Sequence, residues 1–280
     1  MLDANTIKQA AQSNVEAALA EDVGGGDVSA QLIMDDAIAT AQIITRDPGV
    51  FCGKPWVGAT IEQVDKRIQI EWHVCDGDAL TEGQLLFELT GPAKSLLTAE
   101  RTMLNFVQLL SGTATTTAAF VKLVSSSQAV ILDTRKTIPG LRIAQKYAVT
   151  CGGGENHRLG LYDAFLLKEN HIAATGSIRA AIHKARQADP SMPVEVEVET
   201  LGQLQEAIDA GADIAMVDNF TLAQTREAVT MSAGRVKLEA SGGIDETSIT
   251  NIAATGVDHI SIGKLTKDVD PLDLSMRFVE

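Results

Sequence analysis

Cysteine, long apolar runs and net positive charge are all scarce in this 280-residue sequence, and each scarcity excludes a class of protein. The three cysteines, Cys52, Cys75 and Cys151, are odd in number and widely spaced. This pattern argues against a disulfide scaffold or paired metal ligands and predicts reduced thiols. The sequence has neither a signal-peptide core nor a run of about 18 uncharged apolar residues, so we expect a cytoplasmic protein.

The net charge of -14 argues against general binding to nucleic acid or to anionic membranes, because both depend on a basic surface. The length and the 45% hydrophobic content suit one barrel-sized domain or two smaller ones. Between Asp133 and His171, however, six Lys/Arg outnumber four Asp/Glu. Positive charge is therefore concentrated in this segment, which could form a local anion-binding site although the protein as a whole is acidic.

The segment LDTRKTIPGLR, Leu132 to Arg142, places two adjacent cations at the end of a strand. Residues 129–132 are predicted to form a short buried strand, and Arg135 and Lys136 follow it. A proline and a glycine then break the chain before helical spacing resumes. Cations in such a loop suit an anionic ligand, and the alternative is a pair of ordinary solvated charges.

The first part of the chain mixes short strand patterns with helical ones, which predicts an α+β unit. Helices are expected at Ile7–Leu19 and Lys54–Val64, and strands at Ala39–Thr45, Arg67–Val74 and Leu85–Leu89. The triple glycine Gly24–Gly26 is interpreted as a flexible helix exit, because no lysine and hydroxyl pair follows it as in a phosphate-binding loop.

A long helix capped by Thr98 is predicted next, with Arg101 in its first turn. A cation near a helix N-terminus is mildly unfavourable, which suggests a compensating partner or ligand, although a plain surface arginine is the alternative. Ser111 and Gly112 are predicted to interrupt the helix. We therefore divide the chain into domains of residues 1–112 and 113–280, with the last residues available to pack back on the first domain.

Short apolar strands alternate with helical patterns beyond this point, which predicts parallel pairing through right-handed crossovers. Six such strands are expected, at Ala129–Asp133, Ala164–Lys168, Val194–Val198, Ile214–Asp218, Val236–Ala240 and His259–Ile262. A complete α/β barrel needs eight strands. Either two strands are hidden in the preceding helical stretch or the barrel is incomplete.

Polar residues follow the ends of these strands, which is where α/β barrels carry their catalytic groups. A cationic half suits carboxylates or phosphates and consists of Arg135, Lys136, His157, Arg158, Lys168 and His171. An acidic half, Glu197 and Asp218, suits sugar hydroxyls or Mg²⁺. The backbone at Ser241, Gly242, Gly243 and Gly263 suits a phosphate, helped by a following helix N-terminus. The alternatives are a surface salt-bridge network and tight turns.

These residues predict an enzyme that acts on a sugar phosphate together with a second polyanion. Several segments then resemble the quinolinate phosphoribosyltransferase family in order and spacing, nearly from end to end. They are EDVGGGD, ERTMLNFVQLLSG, LDTRKTIPGLR, KYAVTCGGGENHRLGLYDAFLLKENH, EVEVE, DNF, SGGI and ISIGKLT. The resemblance implies an α/β protein with an N-terminal α+β open sandwich, an incomplete C-terminal (β/α) barrel, and a homodimer whose subunits complete each other's sites.

The resemblance also implies the reaction and the residue roles. Quinolinate would react with 5-phosphoribosyl-1-pyrophosphate (PRPP), in the presence of Mg²⁺, to give nicotinate mononucleotide, CO₂ and pyrophosphate in de novo NAD biosynthesis. The resemblance implies that the quinolinate carboxylates are held by Arg135, His157, Arg158 and Lys168, and that Lys136 lies near the reacting carboxylate and the pyrophosphate. It implies that the ribose hydroxyls and the metal are contacted by Glu197 and Asp218, and that the 5-phosphate is bound by Ser241, Gly242, Gly243 and Gly263. Arg101 would reach into the site of the neighbouring subunit. Lys267 stands where some relatives carry histidine.

Two other functions fit parts of the same pattern. A related barrel protein could prefer another ligand, as in relatives associated with molybdenum transport or in another nicotinate-type phosphoribosyltransferase. A non-catalytic anion-binding or sensor protein could share the fold, since fold alone does not give function. The presence of both the cations and the pair Glu197 and Asp218 argues against the non-catalytic alternative.

Overall fold

The computed structural model describes residues 2–279, and its chain divides into two compact units. The first unit runs to Ala118 and also includes Thr137–Gly153 and the segment from Lys264 onward. The second unit consists of Ala119–Lys136 and Gly154–Gly263. Among the described residues, no helix is long and apolar enough to cross a membrane.

The first unit is built on a four-stranded antiparallel sheet with the order β12-β1-β5-β3. A second, two-stranded sheet pairs β2 with β4. The strands are β1 Ile38–Thr45, β2 Gly49–Val50, β3 Gln69–Trp72, β4 Ala79–Leu80, β5 Leu85–Pro92 and β12 Leu274–Phe278. The three longer strands predicted in this region are confirmed, and the predicted α+β character of the unit is correct.

The helices of the first unit pack apolar faces against these sheets and against each other. They are α1 Ala4–Asp22, a 3-10 turn at Ala30–Leu32, α2 Lys54–Val64, most of α3 Ala93–Leu123, α4 Arg142–Cys151 and α10 Lys264–Lys267. Asp3 caps α1 by accepting a hydrogen bond from the backbone N–H of Thr6 at 2.8 Å. The helix predicted at Lys54–Val64 has the observed bounds.

Helix α3 is longer than the sequence pattern predicts. It begins at Ala93 rather than near Thr98 and continues to Leu123, so the predicted interruption at Ser111 and Gly112 is wrong. A Cβ at Gly112 would lie 3.1 Å from Pro271 Cα, which shows that this glycine permits close packing of the chain rather than a helix break. Arg101 lies two turns inside the helix, so the helix dipole at its start is not the reason to suspect a ligand.

The second unit contains the six-stranded sheet that the sequence predicts. All neighbouring strands are parallel, in the order β6-β11-β10-β9-β8-β7. The strands are β6 Val130–Leu132, β7 Phe165–Leu167, β8 Val194–Val198, β9 Ile214–Asp218, β10 Lys237–Ser241 and β11 His259–Ser261. The sheet ends at β6 and β7, so within the described residues it is an incomplete α/β barrel, as expected.

Helices connect these strands and cover the outer face of the sheet. They are α5 Glu169–Thr175, α6 Ile178–Ala188, α7 Leu201–Ala210, α8 Leu222–Ser232 and α9 Ile249–Ala253. The buried residues of α6 are Ile178, Ala181, Ile182 and Ala185, the i, i+3, i+4, i+7 spacing of an amphipathic helix. Ser177, Thr200 and Thr221 cap α6, α7 and α8 by accepting hydrogen bonds from backbone N–H groups. Because all neighbouring strands are parallel, each crossover returns the chain to the same end of the sheet.

Candidate active site

Strand register places the polar side chains of the second unit on one face of its sheet. Glu197 pairs with Met216, Met216 with Glu239, and Glu239 with His259. Paired residues in a parallel sheet point to the same side, and side chains repeat every second position. The face opposite the helices therefore carries the side chains of Glu195, Glu197, Asp218, Glu239, Ser241, His259 and Ser261.

Arg135 and Lys136 follow β6 at the carboxyl end of the sheet. The Thr134 hydroxyl accepts a hydrogen bond from the Lys136 backbone N–H at 3.1 Å, which fixes the turn that presents both cations. Lys136 then extends across Gly263, since a Cβ at Gly263 would lie 3.0 Å from Lys136 Cδ. The absence of a side chain at Gly263 thus leaves room for the Lys136 side chain to pass over it. The structure brings together these three predicted residues.

The segment after Glu155 carries His157 and Arg158 to the same end of the sheet. Glu155 forms a parallel bridge with Leu132, its N–H donating to the Ile131 carbonyl at 2.8 Å. Burial lowers the pKa of Arg158, and the positive charge of Arg135 lowers it further. Two guanidinium groups that repel one another across a half-buried site favour an anion between them.

The loop after Arg158 is closed by Asp163. Its carboxylate accepts hydrogen bonds from the backbone N–H groups of Leu159 at 2.5 Å and Gly160 at 3.2 Å. Arg158 itself donates from Nη1 to the Ala164 carbonyl at 3.3 Å. The predicted segment HRLGLYD is therefore an ordered loop whose own acid holds its backbone.

Lys168 follows β7, and its ammonium group is ion-paired with the carboxylate of Glu197 on β8. The Lys168 side chain is 43% exposed and that of Glu197 is 13% exposed, so the pair is open on the lysine side. The backbone N–H of Lys168 donates to His171 Nδ1 at 3.0 Å. His171 therefore fixes the start of α5, because its ring accepts a hydrogen bond from the backbone of Lys168.

Asp218, at the end of β9, is held by the residue after it. Asn219 has φ of 56° and donates from its side-chain amide to Asp218 Oδ2 at 2.7 Å. Its backbone N–H donates to the Ser241 carbonyl at 3.0 Å. Gly242 has φ of 101°, and a Cβ there would lie 2.9 Å from the Asn219 nitrogen. Both the backbone conformation and the close approach require glycine at this position.

The turn after Gly243 differs from the expected phosphate cradle in one respect. The helix that follows, α9, has only five residues. Asp245 accepts hydrogen bonds from the backbone N–H groups of Thr247 and Ser248 at 3.0 Å each. Hydrogen bonds from the side-chain hydroxyls of Thr247 and Ser248, together with these backbone bonds, lower the pKa of Asp245 to about 2. The N–H groups of Thr247 and Ser248, just before α9, are thus bonded to Asp245, and the predicted phosphate contacts are Ser241, Gly242, Gly243 and Gly263.

Three buried groups were not among the predicted site residues. Glu195 and Glu239 lie 2% and 0% exposed beneath the strand ends, close to the ring of His157. Asp133 is also buried and accepts from the His157 backbone N–H at 3.0 Å and the Asn156 side chain at 2.7 Å. The alternation in VEVEV could have revealed that Glu195 shares the face of Glu197.

Arg101 and Lys267 belong to the first unit. Arg101 is exposed on α3, and Lys267 is paired with the neighbouring Asp268 at 2.9 Å. The other predicted catalytic and substrate-binding residues all lie in the second unit.

Both parts of the chain match one protein family. Residues 27–111 match the quinolinate phosphoribosyl transferase N-terminal domain, and residues 113–277 match the C-terminal domain of the same family. A probable nicotinate-nucleotide pyrophosphorylase (carboxylating) of Bacillus subtilis is 46% identical over 257 residues, which cover 91% of this chain and 89% of that protein. The nicotinate-nucleotide pyrophosphorylase (carboxylating) of Mycobacterium leprae is 42% identical, covering 95% of this chain and 96% of that protein.

A solved structure agrees with these sequence relationships. The nicotinate-nucleotide pyrophosphorylase from Francisella tularensis matches with a TM-score of 0.95 and 50% identity, covering 97% of each chain. The match extends over both the antiparallel sheet of the first unit and the parallel sheet that carries the polar strand ends. This chain belongs to the quinolinate phosphoribosyl transferase family.

Proposed function

We infer that this chain transfers the phosphoribosyl group of PRPP to quinolinate with loss of one carboxyl group, the step of de novo NAD biosynthesis that gives nicotinate mononucleotide, CO₂ and pyrophosphate. The observation that carries this inference is that several cations and a carboxylate pair lie at one end of a single parallel sheet, where Lys168 and Glu197 form an ion pair. A dicarboxylic acid suits the first group, and a sugar pyrophosphate with a divalent cation suits the second.

The cations are proposed to hold the two carboxylates of quinolinate. Arg135 and Arg158 repel one another strongly enough to contribute to the lowered pKa of Arg158, and a dianion between them would relieve that repulsion. Lys168 supplies a third positive charge from the end of β7. Arginine forks also fix the plane of a carboxylate, so the ring nitrogen of quinolinate would be oriented as well as bound.

The carboxylates of Glu197 and Asp218 are proposed to contact the ribose hydroxyls of PRPP and to hold Mg²⁺. They fit this ion because Mg²⁺ prefers oxygen ligands and is usually bound by one or two carboxylates together with substrate phosphates. When bound, Mg²⁺ would neutralise the charge that develops on the departing pyrophosphate. The 5-phosphate is assigned to the backbone of Ser241, Gly242, Gly243 and Gly263.

In this reaction the protein mainly positions the substrates and stabilises the charges that develop. Departure of pyrophosphate leaves positive charge on the ribose ring, which the nearby carboxylates favour. Lys136, whose side chain lies across Gly263, is proposed to stabilise the leaving pyrophosphate. Bonding of the ring nitrogen to ribose then makes that nitrogen positive. When the adjacent carboxyl group leaves as CO₂, the electron pair of the broken bond stays on the ring carbon, where the neighbouring positive nitrogen stabilises it until a proton from water is added.

We further propose that the protein is a cytoplasmic homodimer. The three cysteines are free, which suits a reducing compartment. Arg101 is exposed on α3 and is proposed to reach the site of the partner subunit, where it would contact quinolinate.

A binding experiment tests the assignment of the cations directly. Calorimetric titration is expected to show quinolinate binding at least about tenfold more tightly than nicotinate, since a second charged hydrogen-bonded carboxylate contributes at least that factor. Equal affinities would mean that the site does not recognise two carboxylates, and the dicarboxylate assignment would be wrong.

A further inference from the structure

Both ring nitrogens of His157 are engaged by the protein. Nδ1 accepts a hydrogen bond from the backbone N–H of Arg158 at 2.7 Å, so this nitrogen carries no proton. Nε2 lies 2.9 Å from Glu195 Oε2, and it is therefore the donor. The ring is thus neutral, with its proton on Nε2 directed away from the Arg158 backbone. A ring used in this way supports its neighbours instead of presenting a charged donor to a substrate.

The group that receives this proton belongs to a buried acid pair. Glu195 lies on β8 and Glu239 on β10, and their side chains share the inner face of the sheet. Glu239 Oε2 lies 3.5 Å from His157 Nε2. Burial, together with the negative charge of Glu195, raises the pKa of Glu239 to about 7.

The main chain around His157 is fixed from the other side. Asp133, at the end of β6, accepts from the His157 backbone N–H at 3.0 Å. The ring, in turn, holds the backbone N–H of Arg158. A change in the ring position would therefore shift the Arg158 backbone, and with it the guanidinium that the proposed function assigns to quinolinate.

We propose that Glu195 and Glu239 are positioning residues that hold the His157 ring in its Nε2-protonated form and, through the Arg158 backbone, place the Arg158 guanidinium for the acceptor carboxylate. This inference rests on the proposed function for its substrate. It adds two buried carboxylates to the site, and it makes His157 an anchor for the substrate-binding arginine.

The state of the His157 ring can be measured without turnover. This 280-residue chain labelled with ¹⁵N in histidine has five imidazoles, and the His157→Gln variant identifies the relevant one. We expect one protonated and one unprotonated ring nitrogen between pH 6 and 8, and a shifted Nε2 resonance in Glu195→Leu, which lacks the 2.9 Å acceptor of this nitrogen. A doubly protonated ring, or a wild-type ring that exchanges between tautomers, would overturn the proposal.

The kinetic test compares two substitutions of Glu195. Leucine removes the acceptor, whereas glutamine keeps an oxygen that can accept from Nε2. Glu195→Leu is expected to raise the KM for quinolinate about tenfold or more, the factor for a lost hydrogen bond to a charged group. Glu195→Gln is expected to raise it less than about threefold, and both variants should leave the KM for PRPP within about twofold. The exposed Glu227→Leu is the matched control.

Equal loss for both substrates, or equal effects of leucine and glutamine, would contradict the positioning role. If Glu195→Leu does not fold, the wild-type tautomer and the Glu195→Gln variant still decide the question. If the wild type shows the expected tautomer but no turnover of quinolinate, the proposed function fails while the hydrogen-bonded arrangement stands. The two failures are therefore distinguishable.

Discussion

The ammonium group of Lys168 is paired with the carboxylate of Glu197 on the neighbouring strand. These two residues are assigned to different substrates, Lys168 to quinolinate and Glu197 to PRPP with its metal ion. Each therefore neutralises the other until a substrate arrives. The proposed roles imply that binding of one substrate releases the group that the second substrate needs, so we expect the two substrates to increase each other's affinity, as linkage requires.

Replacement of Lys168 by methionine separates the two halves of the site. Loss of a charged hydrogen-bond donor should weaken quinolinate binding by about 10- to 100-fold. PRPP binding with Mg²⁺ should be kept or strengthened, since Glu197 loses its internal partner. Calorimetry with each substrate measures both effects, and Lys184→Met on the exposed face of α6 is the control. Equal weakening for both substrates would contradict the division of the site.

The reciprocal substitution, Glu197→Gln, should affect the metal. The Mg²⁺ concentration for half-maximal activity is expected to rise at least about tenfold, the scale on which weakened metal sites respond. Quinolinate binding should be retained because Lys168 is then unopposed. A metal titration of the steady-state rate, with Glu227→Gln as control, is the measurement. An unchanged metal requirement would remove Glu197 from the proposed metal site.

Gly263→Ala tests the path of the Lys136 side chain. The added methyl would press on Lys136 Cδ and displace a flexible side chain, so folding should be preserved. A displaced catalytic cation is expected to lower kcat by about 10- to 100-fold. The control is Gly202→Ala in α7, where the nearest atom is 3.9 Å away. This control should keep full activity and stabilise the fold by about 0.5–1 kcal/mol. Full activity of Gly263→Ala would show that the position of Lys136 is not critical.

Arg101 can be tested by complementation between subunits. Arg101→Ala and Lys136→Ala should each be inactive, but refolding a mixture should restore about a quarter of wild-type activity. Half of the dimers would be mixed, and each mixed dimer would contain one intact site. Heterodimers that form but remain inactive would place Arg101 in the site of its own subunit or outside any site.

The raised pKa of Glu239 leads us to expect that the free energy of unfolding depends on pH. Its pKa of about 7 in the folded protein exceeds the ordinary value of 4.5, so the folded state holds this proton more tightly than the unfolded state. The stability that it contributes is present below pH 4.5 and lost as pH rises through 7. Glu239→Gln should therefore unfold like wild type at pH 4 and be more stable at pH 8.5, by up to about 3 kcal/mol. Urea unfolding at both pH values measures this, and a difference that shrinks with pH would contradict the buried protonated state.

Much of the fold could be predicted from local patterns. The predicted and observed bounds agree for β8 and β9, because their apolar residues are bounded by clear turn residues on both sides. Strand β12 was not predicted, since its pairing with β1 joins Ala41 to Phe278, at opposite ends of the chain. The continuity of α3 through Gly112 also depends on packing against Pro271, which local sequence does not reveal.

The site residues proposed in the second unit could be predicted from residue type and strand ends, because parallel strands bring their carboxyl ends together. Glu195 and Glu239 were missed because an acid that alternates with valine or leucine suggests a solvated strand face. Here that face lines the inside of an open barrel, and both carboxylates are buried. The fixed ring of His157 likewise follows from three-dimensional contacts that spacing does not show.

The most direct test of the central claim is an assay of the purified protein with quinolinate, PRPP and Mg²⁺ that follows nicotinate mononucleotide and CO₂ together. We predict equal amounts of the two products, and neither product when PRPP is omitted. Turnover of nicotinate without CO₂, in the absence of any product from quinolinate, would contradict the account. Binding of pyridine acids without turnover would also contradict it and would favour a non-catalytic anion-binding protein.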